Sequence, residues 1–256
     1  MDLREMDTTE DAVLGGRLVL RQPRRGHRVG HDAILLAAAV PAHAGDHAVD
    51  LGAGVGAAGL ALARRVEGLS VTLVEIDPAL ETLAAANATR NGLAARVRAV
   101  CIDATGAAAS LTAAGLAADM ATHVLMNPPF NVAQHKPSPD PARRLAHVAS
   151  GETLEQWVAA AARLLGASGT LTLIWRAGGL GNVLAALAVG FGALAVLPVY
   201  PKPDAPAIRV LVRAVKGSRA PLTIVPGLTL ADAAGTPTPA AEAILRGGEA
   251  IVWGEP

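Results

Sequence analysis

Apolar and polar positions alternate along this chain with two periods, and the changes between them predict the elements. Around Gly15-Gly16, Leu18 and Leu20 alternate with Val19 and Arg21, which predicts short strands or a hairpin within residues 12–29. Asp32 is placed to cap a helix over roughly 33–40, ended by Pro41. Beyond it strands and helices take turns. Strands are predicted at 48–51, 69–76, 96–102 and 121–126, with helices at 57–67 and 78–91 between them. Pro78 opens the second of these helices and Asn91-Gly92 closes it.

Residues 128–150 are rich in proline and predict a long loop, a feature that compact domains keep for function or movement. Leu154, Trp157, Val158, Ala161, Leu164 and Leu165 then share one face of an amphipathic helix. Strands at 171–175, 193–200 and 207–215, with a helix at 179–189, complete the pattern. Alternation of this kind implies an α/β fold, an open and largely parallel sheet with helices on both faces. No internal repeat interrupts it, so residues 1–256 are read as one domain, with 1–45 as an amino-terminal extension and 46–256 as the core.

Composition changes this picture little. Hydrophobic residues make up 52% of the chain and aromatic residues only 2%, so the core is Ala, Leu and Val. The formal net charge is zero, and any basic surface has to be local. Cys101 is the single cysteine, which excludes an intramolecular disulfide framework. No apolar run is long enough to span a bilayer, and Met1 to Asp11 is not a signal peptide. A cytoplasmic protein without a membrane partner is the expectation.

Asp50-Leu51-Gly52-Ala53-Gly54-Val55-Gly56 ends the first core strand and opens a helix. Glycines there let the backbone turn tightly and approach a ligand. Gly54, Gly56 and Gly59 also fit a dinucleotide-binding fingerprint, with Glu75 as its acidic partner, so a NAD-dependent oxidoreductase stays open at this point. Three acids favour S-adenosylmethionine. Asp50 can meet the methionine ammonium, Glu75 both ribose hydroxyls, and Asp103 the adenine amino group. Ile76 and Asp32 are included with Gly52, Gly54 and Gly56 in this cofactor set.

Asn127-Pro128-Pro129-Phe130 follows the fourth core strand. An aryl amine is a poor nucleophile because its lone pair is delocalised into the ring. The Asn127 side-chain carbonyl and the Pro128 main-chain carbonyl can accept the two amino hydrogens and aim the lone pair at a methyl donor. Pro128 and Pro129 stiffen the loop, and Phe130 can stack on the acceptor ring.

On these residues the chain resembles class I methyltransferases with an Asn-Pro-Pro-Tyr/Phe motif. Through Arg28-Val29-Gly30-His31-Asp32-Ala33-Ile34-Leu35-Leu36 it resembles, more narrowly, the bacterial tRNA adenine-N6-methyltransferases that modify the adenine beside the anticodon of a valine tRNA. The resemblance implies a Rossmann-like, seven-stranded sheet with a reversed last hairpin, S-adenosylmethionine bound at Asp50, Gly52, Glu75 and Asp103, and transfer to adenine N6 in tRNA. Other methyltransferases with this tetrapeptide act on protein glutamine or rRNA, and a small-molecule acceptor or a non-catalytic RNA-binding role are further alternatives. Phe130 stands where tyrosine is commoner, which keeps stacking and loses a hydroxyl.

Arg24, Arg25 and Arg28 lie in a basic run before Asp32, and Lys136, Arg143 and Arg144 follow the tetrapeptide; both groups are candidates for RNA phosphate contacts or plain solvated faces. His27/His31 and His43/His47 have four-residue spacing but no third ligand, so surface histidines and no metal site are expected. Trp157, Trp175 and Trp253 read as packing residues.

Overall fold

The computed structural model describes residues 7–25, 28–129 and 154–254, and the elements are numbered along them. The chain opens on a hairpin, β1 (Thr8–Val13) antiparallel to β2 (Leu18–Pro23). Its reversal runs through Leu14–Gly16, where Gly15 and Gly16 both take positive φ, as the sequence predicts. Leu18 and Leu20 face the core.

Helix α1 (His31–Ala39) follows, and here one expectation is corrected. The N-cap is Gly30, while Asp32 lies inside the first turn. The Asp32 carboxylate accepts the Arg209 Nε–H at 2.8 Å, so a residue far along the chain takes the oxygen that capping would have used.

The remaining elements alternate: β3 (His47–Leu51), α2 (Ala57–Arg65), β4 (Ser70–Glu75), α3 (Pro78–Arg90), β5 (Val97–Cys101), α4 (Ala108–Ala113) and β6 (Ala121–Met126). After the long loop, which lies outside the described residues, come α5 (Leu154–Leu164), β7 (Leu165–Arg176), α6 (Leu180–Leu187), β8 (Phe191–Tyr200) and β9 (Arg209–Lys216). The short strands β10 (Thr223–Ile224) and β11 (Leu228–Thr229) and helix α7 (Pro239–Leu245) complete the fold. Pro78 stands in the first turn of α3, as the sequence predicts, and Asp77, which the sequence reading did not single out, caps the helix by accepting from the Ala79 N–H.

Seven long strands lie in the order β5-β4-β3-β6-β7-β9-β8, and β10 and β11 both pair with β8. Strands β3 to β7 run parallel, while β9 is antiparallel to both its neighbours. The sheet is thus the expected one with two short additions. Buried Leu, Val and Ala from α1, α2, α3 and α7 cover one face, and α4, α5 and α6 cover the other. Strand β7 starts at Leu165, directly after α5 and earlier than its apolar run suggests.

The histidines correct another expectation. His47 is half-buried, with its Nε2 at 3.0 Å from the Thr72 hydroxyl, and only His43 of that pair is on the surface. His123 is buried and its Nε2 lies 3.0 Å from Asp46. Burial holds the His123 pKa below its ordinary value despite that carboxylate. Among the described residues no group of three His, Cys, Asp or Glu side chains is arranged to hold a metal, and no helix is long and apolar enough to cross a membrane.

The last residues return to α1, whose final carbonyls have no intrahelical donors. The Ile251 N–H donates to the Ala38 carbonyl at 2.8 Å, and the buried Trp253 donates its Nε1–H to the Ala39 carbonyl at 2.9 Å. The Arg213 guanidinium lies 4.8 Å from the Trp253 ring centroid, a cation–π contact. Replacing Trp253 with Ala therefore removes a core side chain and uncaps a buried helix end. Urea denaturation should show a loss of about 3–5 kcal/mol; a loss under about 1 kcal/mol would mean that the tail is not part of the core.

Candidate active site

The site is built where the strand order reverses. Strand β3 pairs with β4 on one side and β6 on the other, with Asp50 opposite Leu73 and Leu125. The helices that follow β3 and β6 lie on opposite faces of the sheet, which opens a crevice at the carboxyl ends of these two strands. One loop at that crevice is Gly52–Gly56 and the other starts at Asn127.

The glycine turn is held from several directions. Gly52 and Ala53 both donate their N–H groups to the Val74 carbonyl at 2.9 Å. Gly52, Gly54 and Gly56 all have positive φ, and Gly56 in the left-handed region caps α2. A Cβ on Gly52 would come within 2.8 Å of the Trp157 ring, whereas a Cβ on Gly54 would meet no atom within 4 Å. The first contact makes Trp157 a floor beneath the turn; the second leaves space above Gly54 for a ligand. Trp157 thus packs, as the sequence suggests, but it packs under the site.

The acids are tied to the same turn. Glu75, buried at the end of β4, accepts the Gly54 N–H at 2.8 Å through one oxygen and the Ile76 and Asp77 N–H groups at 2.9 and 3.0 Å through the other. Asp50 lies within β3, not after it, and accepts the Gly59 N–H at 2.8 Å. A Cβ on Gly59 would strike Leu73, so this glycine is needed for close packing of α2 on the sheet. Asp103, two residues past β5, closes its own turn by accepting from the Thr105 N–H and hydroxyl, both at 2.8 Å. The structure therefore brings Asp50, Glu75 and Ile76 to the glycine turn and places Asp103 beyond the neighbouring strand. Asp32 is instead engaged with Arg209.

Asn127 follows β6 directly, and its Oδ1 is buried without a hydrogen-bond partner among the described residues. Pro128 is buried and Pro129 exposed. An orphaned buried acceptor is costly, and here it faces the question of which donor satisfies it. Phe130, Lys136, Arg143 and Arg144 lie outside the described residues. Arg24 and Arg28 are not bare cations: Arg24 pairs with Asp7 at 2.7 Å and Arg28 with Asp11 at 2.8 Å, while Arg25 is exposed. Sequence reading missed the support given by Trp157 and by Asn87, a buried asparagine within a helix, where that residue type is a poor helix former and signals a side-chain task.

Burial pushes the Asp50 carboxyl up to about 7; the Gly59 N–H opposes this and the nearby Glu75 adds to it. The folded chain thus keeps a proton that the unfolded chain loses above the ordinary carboxylate value of 3.8. Asp50 accordingly costs stability progressively as pH rises from about 4 to about 7, and no further above that. Thermal denaturation across this range should show the fall flattened in Asp50→Asn; an unchanged pH profile would contradict the protonated state. In the same site, Gly52→Ala should raise the Kd for S-adenosylmethionine at least about tenfold, because the methyl group collides with Trp157 and the φ is unfavourable. Calorimetric titration of the folded variant checks this, and an unchanged Kd would remove Gly52 from the cofactor site.

Comparison with known proteins agrees with this architecture. The family described as methyltransferase small domain matches residues 27–196, more than half of the chain. Two curated relatives are named tRNA1(Val) (adenine(37)-N6)-methyltransferase. That of Shewanella amazonensis is 35% identical over 105 residues, 41% of this chain and 42% of the relative. That of Bacteroides fragilis is 31% identical over 147 residues, 57% of this chain and 59% of the relative. The chain therefore spans about half the length of these relatives. A crystal structure of an Agrobacterium tumefaciens protein described as a predicted O-methyltransferase is 31% identical, covers 86% of this chain and 98% of its own, and superimposes with a TM-score of 0.73. An S-adenosylmethionine-dependent O-methyltransferase of Thermotoga maritima, 19% identical over 77% of this chain and 68% of its own, shares the fold at a TM-score of 0.53. With the family model matching residues 27–196, the chain belongs to the methyltransferase small domain family.

Proposed function

We propose that this chain transfers a methyl group from S-adenosylmethionine to an exocyclic amino nitrogen, with adenine N6 in tRNA as the acceptor. The observation that carries the reading is the buried, unpartnered Oδ1 of Asn127 at the crevice between β3 and β6. It is an acceptor without a donor among the described residues, and an amino group is such a donor.

The residues fit the cofactor. Gly54 leaves open space for close approach, Glu75 accepts the Gly54 N–H, Asp50 lies buried against Gly59 in the helix that follows the turn, and Asp103 lies past the next strand. When bound, S-adenosylmethionine supplies an electrophilic methyl group on a positively charged sulfur. Asn127 Oδ1 and the Pro128 carbonyl hold the acceptor's amino hydrogens and so direct the nitrogen lone pair. Both are neutral acceptors, so they support the positive charge that develops on the nitrogen without taking its proton early. Phe130 is assigned to stacking on the acceptor ring.

The names of the two curated relatives support tRNA adenine as the acceptor. The description of the Agrobacterium protein favours a hydroxyl acceptor as a second reading. A hydroxyl needs a base to remove its proton, and Asn127, Pro128 and Pro129 offer none. For RNA contacts, Arg24, Arg25 and Arg28 are assigned to phosphates; exposed ion pairs such as Arg24–Asp7 are weak enough for a phosphate to displace the carboxylate. Lys136, Arg143 and Arg144 complete that assignment.

Isotopically labelled S-adenosylmethionine and unmodified tRNA test the reading, with nucleosides resolved by mass spectrometry. Label is expected in N6-methyladenosine. Asn127→Ala should lower kcat by at least about 100-fold and leave the Kd for S-adenosylmethionine within a few-fold. Label in an O-methylated product, or equal loss of both properties in a folded variant, would overturn the assignment.

A further inference from the structure

Asn87, in the last turn of helix α3, and Asn91, its C-cap, stand one turn apart, and both side chains point at β2. Strand β2 pairs with β1 along one edge, so the N–H and C=O groups of Val19 and Arg21 on its other edge need partners. The Asn87 Oδ1 accepts the Arg21 N–H at 2.8 Å, and its Nδ2 donates to the Arg21 carbonyl at 3.0 Å. Asn91 does the same for Val19, at 2.9 Å in each direction. The two amides act as a substitute strand, each giving one donor and one acceptor.

They differ in one respect. The second Nδ2 hydrogen of Asn91 stays within the helix, donating to the Asn87 carbonyl at 2.8 Å. That of Asn87 leaves the helix and donates to the Val55 carbonyl at 3.0 Å. Val55 lies between Gly54 and Gly56, so the glycine turn is pinned on two sides, by Glu75 at the Gly54 N–H and by Asn87 at the Val55 carbonyl. Asn87 is fully buried, with three hydrogen bonds on one side-chain amide.

We propose that Asn87 is a positioning residue for cofactor binding: it locks the glycine turn to the amino-terminal hairpin, so that hairpin order and S-adenosylmethionine affinity are linked. The inference rests on the glycine turn being the cofactor site. Gly54 and Gly56 have no side chains to restrict them, and the Val55 carbonyl between them would be free to rotate without the Asn87 amide. Because linkage is reciprocal, a cofactor that orders the turn also orders β2 through the same side chain.

Calorimetric titration with S-adenosylmethionine separates this from a merely structural role. Asn87→Ala and Asn91→Ala both loosen the hairpin, but only the first frees the turn. Asn87→Ala should raise Kd and KM for S-adenosylmethionine about tenfold with kcat kept within about twofold, while Asn91→Ala should leave Kd within about twofold. Equal Kd values in the unaltered chain and a folded Asn87→Ala variant would overturn the proposal, as would equal weakening by both variants. If Asn87→Ala does not fold, hydrogen exchange in the unaltered chain decides. Slower exchange at Val19 and Arg21 on adding S-adenosylmethionine supports the linkage, and unchanged exchange there with a protected glycine turn overturns it. Failure of the unaltered chain to bind S-adenosylmethionine at all would overturn the reading of the cofactor site itself, a result distinct from the others.

Discussion

The parallel pairing of β3 with β6 is the constraint on which the rest of the site depends. These strands are far apart in the chain, yet their register sets Leu51 beside Met126. The next residues on each, Gly52 and Asn127, are therefore neighbours at one crevice. The fold reverses its winding at this pair, and the described helices that follow the two strands diverge to opposite faces of the sheet. The glycine turn and the Asn127 amide then meet without either needing to be near the other in sequence.

Polar groups around the crevice divide into two kinds. Glu75, Asp50 and Asn87 are buried and satisfied mainly by backbone N–H and C=O groups of the glycine turn and its surroundings. Their hydrogen bonds fix the shape of a segment that its own glycines leave loose. Asn127 Oδ1 is buried and has no hydrogen-bond partner among the described residues. The first kind holds the shape of the turn. Asp50 is of this kind, and burial pushes its carboxyl up to about 7 although the Gly59 N–H opposes the shift.

Much of the fold was legible because its elements have strong local signals. Strand β6 and helix α3 follow from their apolar periods, and Pro78 and Asn91-Gly92 mark where α3 starts and stops. The hairpin follows from Gly15-Gly16. Elements with weak local signals were missed: β10 and β11 are two residues each, and they exist only because the edge of β8 is there to pair with. Asp32 was misplaced for a related reason. Its local preference was for the N-cap, and an arginine 177 residues away outcompeted it. The basic run before α1 was also legible as charge, but not its pairing with Asp7 and Asp11 across the hairpin.

The sequence by itself determined the alternation of strands and helices, the glycine turn, and the chemical types of the acids and of Asn127, because each of these is written within a few neighbouring residues. Tertiary structure decided which of them meet. It set Trp157 under Gly52, gave Glu75 to the Gly54 N–H, and stretched Asn87 between Arg21 and Val55. Those contacts depend on strand order and on how closely α2, α3 and α5 pack against the sheet, and packing distance is a property of the folded whole that no local period encodes.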